Sequence, residues 1–372
     1  MDPNVDPIIH ALRLARSALG RVSPNPAVGA VLVKEGRVIG SGWTQPPGGA
    51  HAEMVALREA GDQANGATMY VTLEPCPHYG RTPPCTSAII AAGVAEVRIA
   101  KLDPNPKVDG GGKRALQSAG IRVTVGLQDG ENDWEAQRII EAFAKHITTR
   151  LPFLTAKFAV SLDGKMATST GESQWISGEE SRLEAHRLRA ECDAVIVGIG
   201  TVLADDPWLT ARMALGSGVS PVQPLRVVVD SRARLPAGAR MLQQEGHTLV
   251  AVADAPPDRR NALVTAGAEV VALPGPDGRV DLPALMRLLG ERDVTSVLVE
   301  GGAQLLGAIF DGHLVDKVVA FVAPVVIGGG LAPSPVAGRG AFKLAEAMRL
   351  RDVRHRAVGD DMMITGYPMG EE

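Results

Sequence analysis

His51-Ala52-Glu53, then Pro75-Cys76, then Cys85 is the stretch from which the chain is read outward. One imidazole and two thiolates give zinc three protein ligands. They leave a fourth position for water, the mark of a catalytic rather than a structural site. Glu53 follows the histidine by two residues, near enough to exchange protons with that water without ligating the metal. Eight residues, Pro77-His78-Tyr79-Gly80-Arg81-Thr82-Pro83-Pro84, separate the cysteines, far more than in a compact Cys-x-x-Cys pair. A structural zinc knuckle would need a fourth ligand nearby, and His78 is the obvious candidate.

The flanking pattern places both halves of this motif at helix N-termini. His51 opens a helix carrying Val55, Ala56 and Ala60, and Cys85 opens another through Ala88, Ile89, Ile90 and Ala92, closed by Gly93. The partial positive charge of a helix N-terminus favours thiolate over thiol at Cys85. Upstream, Ile8, Ile9, Leu12, Ala15 and Leu19 share one helical face. Strands are expected at 27–33 and 38–43 around a Lys34-Glu35-Gly36-Arg37 turn, and at 69–73, 96–100 and 121–125. A closing helix is expected over 131–149, and Arg150-Leu151-Pro152 breaks the pattern. This puts a domain boundary between 1–149 and 150–372. A second alternating series then begins. Its strands are expected at 153–160, 194–197, 225–229, 248–253, 269–272, 296–299 and 317–326, and its helices at 179–191, 258–266, 282–290 and 304–310. Residues 213–223 read as an exposed loop.

Composition bounds the function. The chain has 372 residues, enough for two domains, with 45% hydrophobic and 22% charged residues, as in a soluble α/β protein. A net charge of −4 and 3% aromatic residues argue against a nucleic-acid partner, which would call for a basic face or stacking platforms. Three cysteines, two of them in the motif, suggest a reducing, cytoplasmic setting, with Cys192 as a core thiol. Neither a signal peptide nor a membrane span is expected.

The His-x-Glu and Pro-Cys arrangement matches the signature of zinc-dependent base deaminases. Zinc would bring the pKa of water toward about 7, and Glu53 would carry its proton to the ring nitrogen and the departing ammonia. Ser23-Pro24-Asn25-Pro26-Ala27-Val28-Gly29-Ala30, the His51 motif and the long insert between the cysteines together resemble the bifunctional riboflavin-biosynthesis deaminase/reductase family. That resemblance implies a cytidine-deaminase-like three-layer domain acting on a diaminopyrimidinone with a phosphoribosylamino group. It also implies that Asn25, His78 and Arg81 contact substrate.

Three segments stand out in the second half: Ala156 to Lys165 running into 171–177, Gly198 to Pro207 with Leu209-Thr210-Ala211-Arg212 after it, and Val299-Glu300-Gly301-Gly302-Ala303-Gln304-Leu305. Glycines at a helix start let backbone N–H groups approach a phosphate. The Gly-x-Gly-x-x-Gly fingerprint of a Rossmann domain is absent. All three segments are similar to the reductase domain of the same family, which is dihydrofolate-reductase-like. The resemblance then implies that Ala159, Trp175, Thr201, Asp205, Gly302, Ala303, Gln304, Leu305, Leu306, Gly307 and Ala308 meet NADPH. It implies that Ser173, Arg189, Leu209, Arg212 and Glu300 meet the substrate, with Arg189 and Arg212 suited to its 5-phosphate. Ser231 and Arg234 are candidates for reading the NADPH 2′-phosphate, with Asp230 as a competing holder of free ribose hydroxyls. A homo-oligomer is expected, as is common for fused enzymes of this kind. The competing readings are a deaminase whose second domain only binds phosphoribosyl ligands, and a nucleic-acid base deaminase.

Overall fold

The computed structural model describes residues 6–78, 83–212 and 221–370. It divides into two compact units, Met1–Leu151 and Pro152–Glu372.

In the first unit, helix α1 (Pro7–Ala18) starts at Asp6, whose carboxylate accepts the Ile8 N–H at 3.0 Å. It buries Ile8, Ala11, Leu12, Ala15 and Ala18, a spacing that lines one helical face. Strands β1 (Gly29–Lys34) and β2 (Arg37–Trp43) form a hairpin whose two turn residues, Glu35 and Gly36, have φ of 50° and 73°. There follow α2 (Ala52–Ala60), β3 (Thr68–Leu73), α3 (Cys85–Ala91), β4 (Glu96–Lys101), α4 (Gly111–Ser118), β5 (Arg122–Val125) and α5 (Gly130–Thr149). The sheet runs β2-β1-β3-β4-β5, antiparallel up to β3 and parallel beyond it. Helices α1 and α5 pack together on one face, and α2, α3 and α4 succeed one another on the other, giving three layers. Gly40 and Gly42 bring α2 hard against β2: a methyl on Gly40 would land on the Ala56 carbonyl. This close seat fixes the N-terminus of α2, where His51 stands.

The second unit contains β6 (Phe153–Ser161), α6 (Glu179–Glu191), β7 (Ala194–Gly198), α7 (Ile199–Asp205), β8 (Leu225–Val229), β9 (Thr248–Val252), α8 (Pro257–Thr265), β10 (Glu269–Ala272), α9 (Leu282–Glu291), β11 (Ser296–Glu300), α10 (Ala303–Asp311), β12 (Lys317–Ala323), β13 (Leu350–Val358) and β14 (Asp361–Pro368). The sheet order is β10-β9-β8-β7-β11-β6-β12-β14-β13. All pairs from β10 to β12 are parallel, and β14 and β13 close the edge antiparallel. Val195, Val197, Val227, Val228, Leu249, Val250, Val297 and Leu298 are wholly buried, as expected for strands covered on both faces.

Five elements differ from the sequence expectation. β12 stops at Ala323 because Pro324 has no N–H to continue the ladder. Helices α4 and α7 and the β13–β14 hairpin were not expected. β13 is exposed along nearly its whole length, so it shows no apolar alternation to detect. Most of the 213–223 loop lies outside the described residues.

Candidate active sites

The first unit gathers its motif at one end of the sheet. His51 caps α2 and Cys85 is the first residue of α3. Cys76 lies in the loop after β3, and that loop is stitched to α3 by the Thr86 N–H and hydroxyl, both donating to the Cys76 carbonyl at 3.3 Å. His51 Nδ1 lies 3.2 Å from Cys85 Sγ and 3.8 Å from Cys76 Sγ, and the three ligand atoms all fall within 4.8 Å of one another. Cys85 is fully buried. The Cys76 thiol is held down at about 4 by hydrogen bonding with the Cys85 side chain, against burial, with His51 and the Cys85 N–H adding to it. The same pairing with Cys76, together with burial, pushes Cys85 up. One readily ionised sulfur, a second sulfur and an imidazole nitrogen form the donor set zinc prefers. Among the described residues His78 does not join the group, so no fourth protein ligand closes it. Glu53 stands beside it, 4% exposed, its carboxyl raised above the usual range by burial.

The other expected contacts of this unit are more dispersed. Asn25 is half-buried in the turn before β1, its N–H donating to the Val22 carbonyl at 2.8 Å. His78 is exposed at the end of the described part of the insert; Arg81 lies outside the described residues. Two carboxylates escaped the sequence reading. Glu74, buried at the end of β3, accepts N–H groups from Lys113 at 2.8 Å and Asp103 at 3.3 Å. Asp103 is raised to about 6, by burial first and then by Glu74 and Cys76, while His78 pulls the other way. An acidic residue after an apolar strand was the available signal for both.

In the second unit the parallel strands end on a common edge, which collects the expected residues. Gly301 and Gly302 have φ of 70° and 72° and lead into α10, and a Cβ on Gly302 would sit 3.0 Å from Thr201 Oγ1. The turn thus keeps an open cradle, backed by the N–H groups of the first turn of α10 and by Thr201. Leu306 is fully buried and Gly307 packs against Ala337, so only the N-terminal part of the expected 302–308 run faces outward. Gln304 is exposed, Ala303 and Ala308 are half-buried, and Leu305 is buried. Ala159 packs against the core beside β11 and β12. Exposed Trp175, with the Arg182 guanidinium 4.8 Å from its ring centroid, and half-buried Ser173 lie in the segment that Gln174 ties to Asp205 at 3.4 Å.

Arg189 and Glu300 do not stand apart as two substrate contacts. Both Glu300 oxygens accept from the Arg189 guanidinium, through Nε and, at 2.9 Å, through Nη2. The fork expected to take a phosphate is therefore already filled by a carboxylate. Lys157 Nζ, in the middle of β6, is 3.7 Å from Glu300. Burial opposes ionisation of Glu300, but Arg189 and Lys157 outweigh it and hold the group at about 2. Thr210, whose carbonyl lies 3.1 Å from His186 Nδ1, has a buried hydroxyl without a partner. Leu209 is buried with φ of 53°, and Arg212 is exposed beside the Trp208 ring. Lys157 and His186 were missed in the sequence, although a lysine inside an apolar strand is itself a signal. Ser231 Oγ accepts the Val280 N–H at 3.2 Å, and Asp230 is wholly buried, capping the turn through the Leu235 N–H at 2.8 Å. Asp230 is therefore a turn-former and does not face a ribose.

These two units define a zinc deaminase fold joined to a reductase fold. Residues 6–101 match the cytidine and deoxycytidylate deaminase zinc-binding region, and residues 152–364 match the RibD C-terminal domain. The chain is 40% identical to the riboflavin biosynthesis protein RibD of Aquifex aeolicus, over 95% of each chain. It is 41% identical to that of Escherichia coli, over 95% of this chain and 96% of the other. Among solved structures it is similar to Acinetobacter baumannii RibD (TM-score 0.84, 35% identity, 98% of each chain). It is also similar to a diaminohydroxyphosphoribosylaminopyrimidine deaminase/5-amino-6-(5-phosphoribosylamino)uracil reductase from Thermotoga maritima (TM-score 0.81, 34% identity, 98% of each chain). The chain belongs to the riboflavin biosynthesis protein RibD family, whose members carry both activities on one polypeptide.

Proposed function

We propose that the first unit hydrolyses one ring amino group of 2,5-diamino-6-(5-phosphoribosylamino)pyrimidin-4(3H)-one, and that the second reduces the ribosyl group of the resulting 5-amino-6-(5-phosphoribosylamino)uracil to ribityl. The carrying observation is the three-donor group of His51, Cys76 and Cys85 beside a buried Glu53 that stands outside that group. His51, Cys76 and Cys85 would hold the zinc, which would supply the Lewis acidity that makes water a nucleophile at neutral pH. Glu53 takes one proton from the attacking water and gives it to the ring nitrogen, then carries the second, from the hydroxyl of the adduct, to the leaving amine, so that ammonia departs and a carbonyl remains. The raised carboxyl suits a group that must both accept and release a proton near neutrality.

In the second unit, NADPH would supply a hydride. The Gly301–Gly302 cradle and Thr201 would hold its phosphates, with Ala159, Trp175 and Asp205 along the same edge. The Lys157–Glu300–Arg189 cluster orients the substrate, and Ser173, Leu209 and Arg212 border it. On this reading, Arg212 takes over the phosphate contact that Arg189 is not free to make. Asn25, His78 and Arg81 hold the pyrimidine in the first unit. The acidic balance supports a small-molecule substrate rather than nucleic acid, and the unpaired thiols support a cytoplasmic setting. Exposed Leu331, Phe342 and Leu344 support a homo-oligomer. Among the described residues no helix is long and apolar enough to cross a membrane.

The test uses synthesised substrate, with ammonia release and NADPH oxidation followed separately. Glu53→Gln is expected to keep its zinc, to lose deamination by about a thousandfold or more, and to reduce already deaminated substrate normally. Loss of both activities in a folded variant would defeat the two-site reading. Cys76→Ser and Cys85→Ser are each expected to lose zinc and deamination together.

A further inference from the structure

Glu74 is a buried carboxylate that the reaction scheme does not use, and it stands two residues before Cys76. Burying a charged group costs free energy unless hydrogen bonds replace its water, so its partners define its role. The Glu74 N–H donates to the Lys101 carbonyl at 2.9 Å, carrying the β3–β4 pairing past the end of β3. Its side chain then reaches across to α4. One carboxylate oxygen accepts the Lys113 N–H at 2.8 Å, and the other accepts the Asp103 N–H at 3.3 Å. Lys113 is in the first turn of α4, where an N–H has no partner inside the helix. Gly110, the residue before the helix, has no side chain with which to cap it. Glu74 supplies that cap from 39 positions away, and its negative charge suits the positive end of the helix.

The cap is also a clamp on the loop that carries Cys76. A Cβ on Gly112 would lie 2.0 Å from the Pro75 carbonyl oxygen and 3.1 Å from Glu74 Cγ, and one on Gly111 would lie 3.2 Å from Pro77 Cγ. The Pro75-Cys76-Pro77 backbone is therefore seated directly on the first turn of α4. His51 and Cys85 are placed by the helices they open, α2 and α3, whereas Cys76 belongs to no regular element. Its sulfur stands where the loop's anchors put it. Those anchors are Thr86 of α3, which holds the Cys76 carbonyl, and the Glu74 link to α4. We infer that Glu74 is a positioning residue of the metal site: by tying the loop after β3 to α4, it holds Cys76 Sγ where it meets His51 and Cys85. The inference rests on the zinc-deaminase reading above.

The experiment measures the zinc dissociation constant of the full-length enzyme by competition with a chromophoric chelator. Glu74→Gln keeps the shape of the side chain and one acceptor oxygen but turns an amide NH2 toward one of the two N–H groups. It is expected to weaken zinc binding about tenfold, and Glu74→Ala about a hundredfold. Should Glu74→Ala fail to fold, Glu74→Gln decides. Leu116→Ala is the control: this fully buried α4 residue anchors the same helix without touching the clamp. It is expected to lower the melting temperature at least as much as Glu74→Gln and to leave the zinc constant within about twofold of the parent's. Cobalt exchanged for zinc reads the ligand geometry directly. Its visible bands should change in Glu74→Gln and match the parent in Leu116→Ala. Either a parent-like zinc constant or a parent-like cobalt spectrum in Glu74→Gln would overturn the inference. Equal weakening of zinc in Leu116→Ala would do the same, since Glu74 would then act through stability alone. A parent enzyme that binds no zinc would remove the deaminase reading and the inference together, whereas a zinc-binding parent with an indifferent Glu74→Gln removes the inference alone.

Discussion

At the scale of single residues, burial and pairing determine how charge behaves in the second unit. His186 is pushed down to about 4 by burial and then by the positive charges of Arg189 and Arg212, from an ordinary 6.5. Between those values the unfolded chain binds a proton that the folded chain refuses. Its contribution to stability is therefore complete above pH 6.5 and declines toward pH 4. Glu300 acts in the next window: held at about 2 against an ordinary 4.5, it contributes fully above pH 4.5 and loses that contribution toward pH 2. Urea midpoints of the full chain and of His186→Gln should therefore converge as pH falls from 7.5 to 4. Parallel curves would remove His186 from the account. The Arg189–Glu300 pair makes a second expectation. Arg189→Met leaves a buried carboxylate with Lys157 alone and should cost about 3 kcal/mol, read as a shift in the same midpoint. This pairing was invisible in the sequence because its members are 111 positions apart. The zinc ligands were legible because a metal demands particular side chains, whatever the spacing between them.

At the scale of elements, the site depends on how tightly helices seat on strands. A methyl at Gly40 would meet the Ala56 carbonyl, and the backbone of α2 has nowhere to move without carrying His51 and Glu53 with it. Gly40→Ala should therefore lower stability by about 2 kcal/mol and also weaken zinc retention, measured by thermal melting and metal content after dialysis. A stability loss with unchanged zinc would mean that α2 tilts about its N-terminus and leaves the ligands in place. Most elements could be read from the chain because their apolar periodicity survives in the core. Thus α6, β8 and β10 fall on the expected residues, and α2 and α3 begin where the motif says. The exceptions lack that signal. α4 begins in Gly110-Gly111-Gly112, where propensity argues against a helix, and Gly112 is needed because Pro75 crosses it closely. α7 is a short helix entered directly from β7, and its 7 residues are too few to show a helical period. β13 lies at the sheet edge, with polar residues on both faces.

At the scale of the whole molecule, each unit has its own apolar core. One is built on Leu12, Leu32, Met69, Ile89, Ile99 and Leu116, the other on Val195, Val228, Met241, Val250, Leu298 and Phe321. The chain passes from one unit to the other at Leu151–Pro152, after Arg150 ends α5 in a left-handed conformation with φ of 63°. Both units are of a size at which a single core sustains folding. A fragment beginning at residue 152 should accordingly fold and reduce deaminated substrate at close to the full chain's rate. Zinc gives a sharper test, since a ligand stabilises only the cooperative unit that binds it. Stripping the metal with a chelator should lower the unfolding transition of the first unit and leave that of the second in place. At free zinc a hundred times above the dissociation constant the separation amounts to about 3 kcal/mol, readily seen by scanning calorimetry. A single transition that moves as one when zinc is removed, together with an insoluble or inactive fragment, would mean that the two cores fold only as a joint unit.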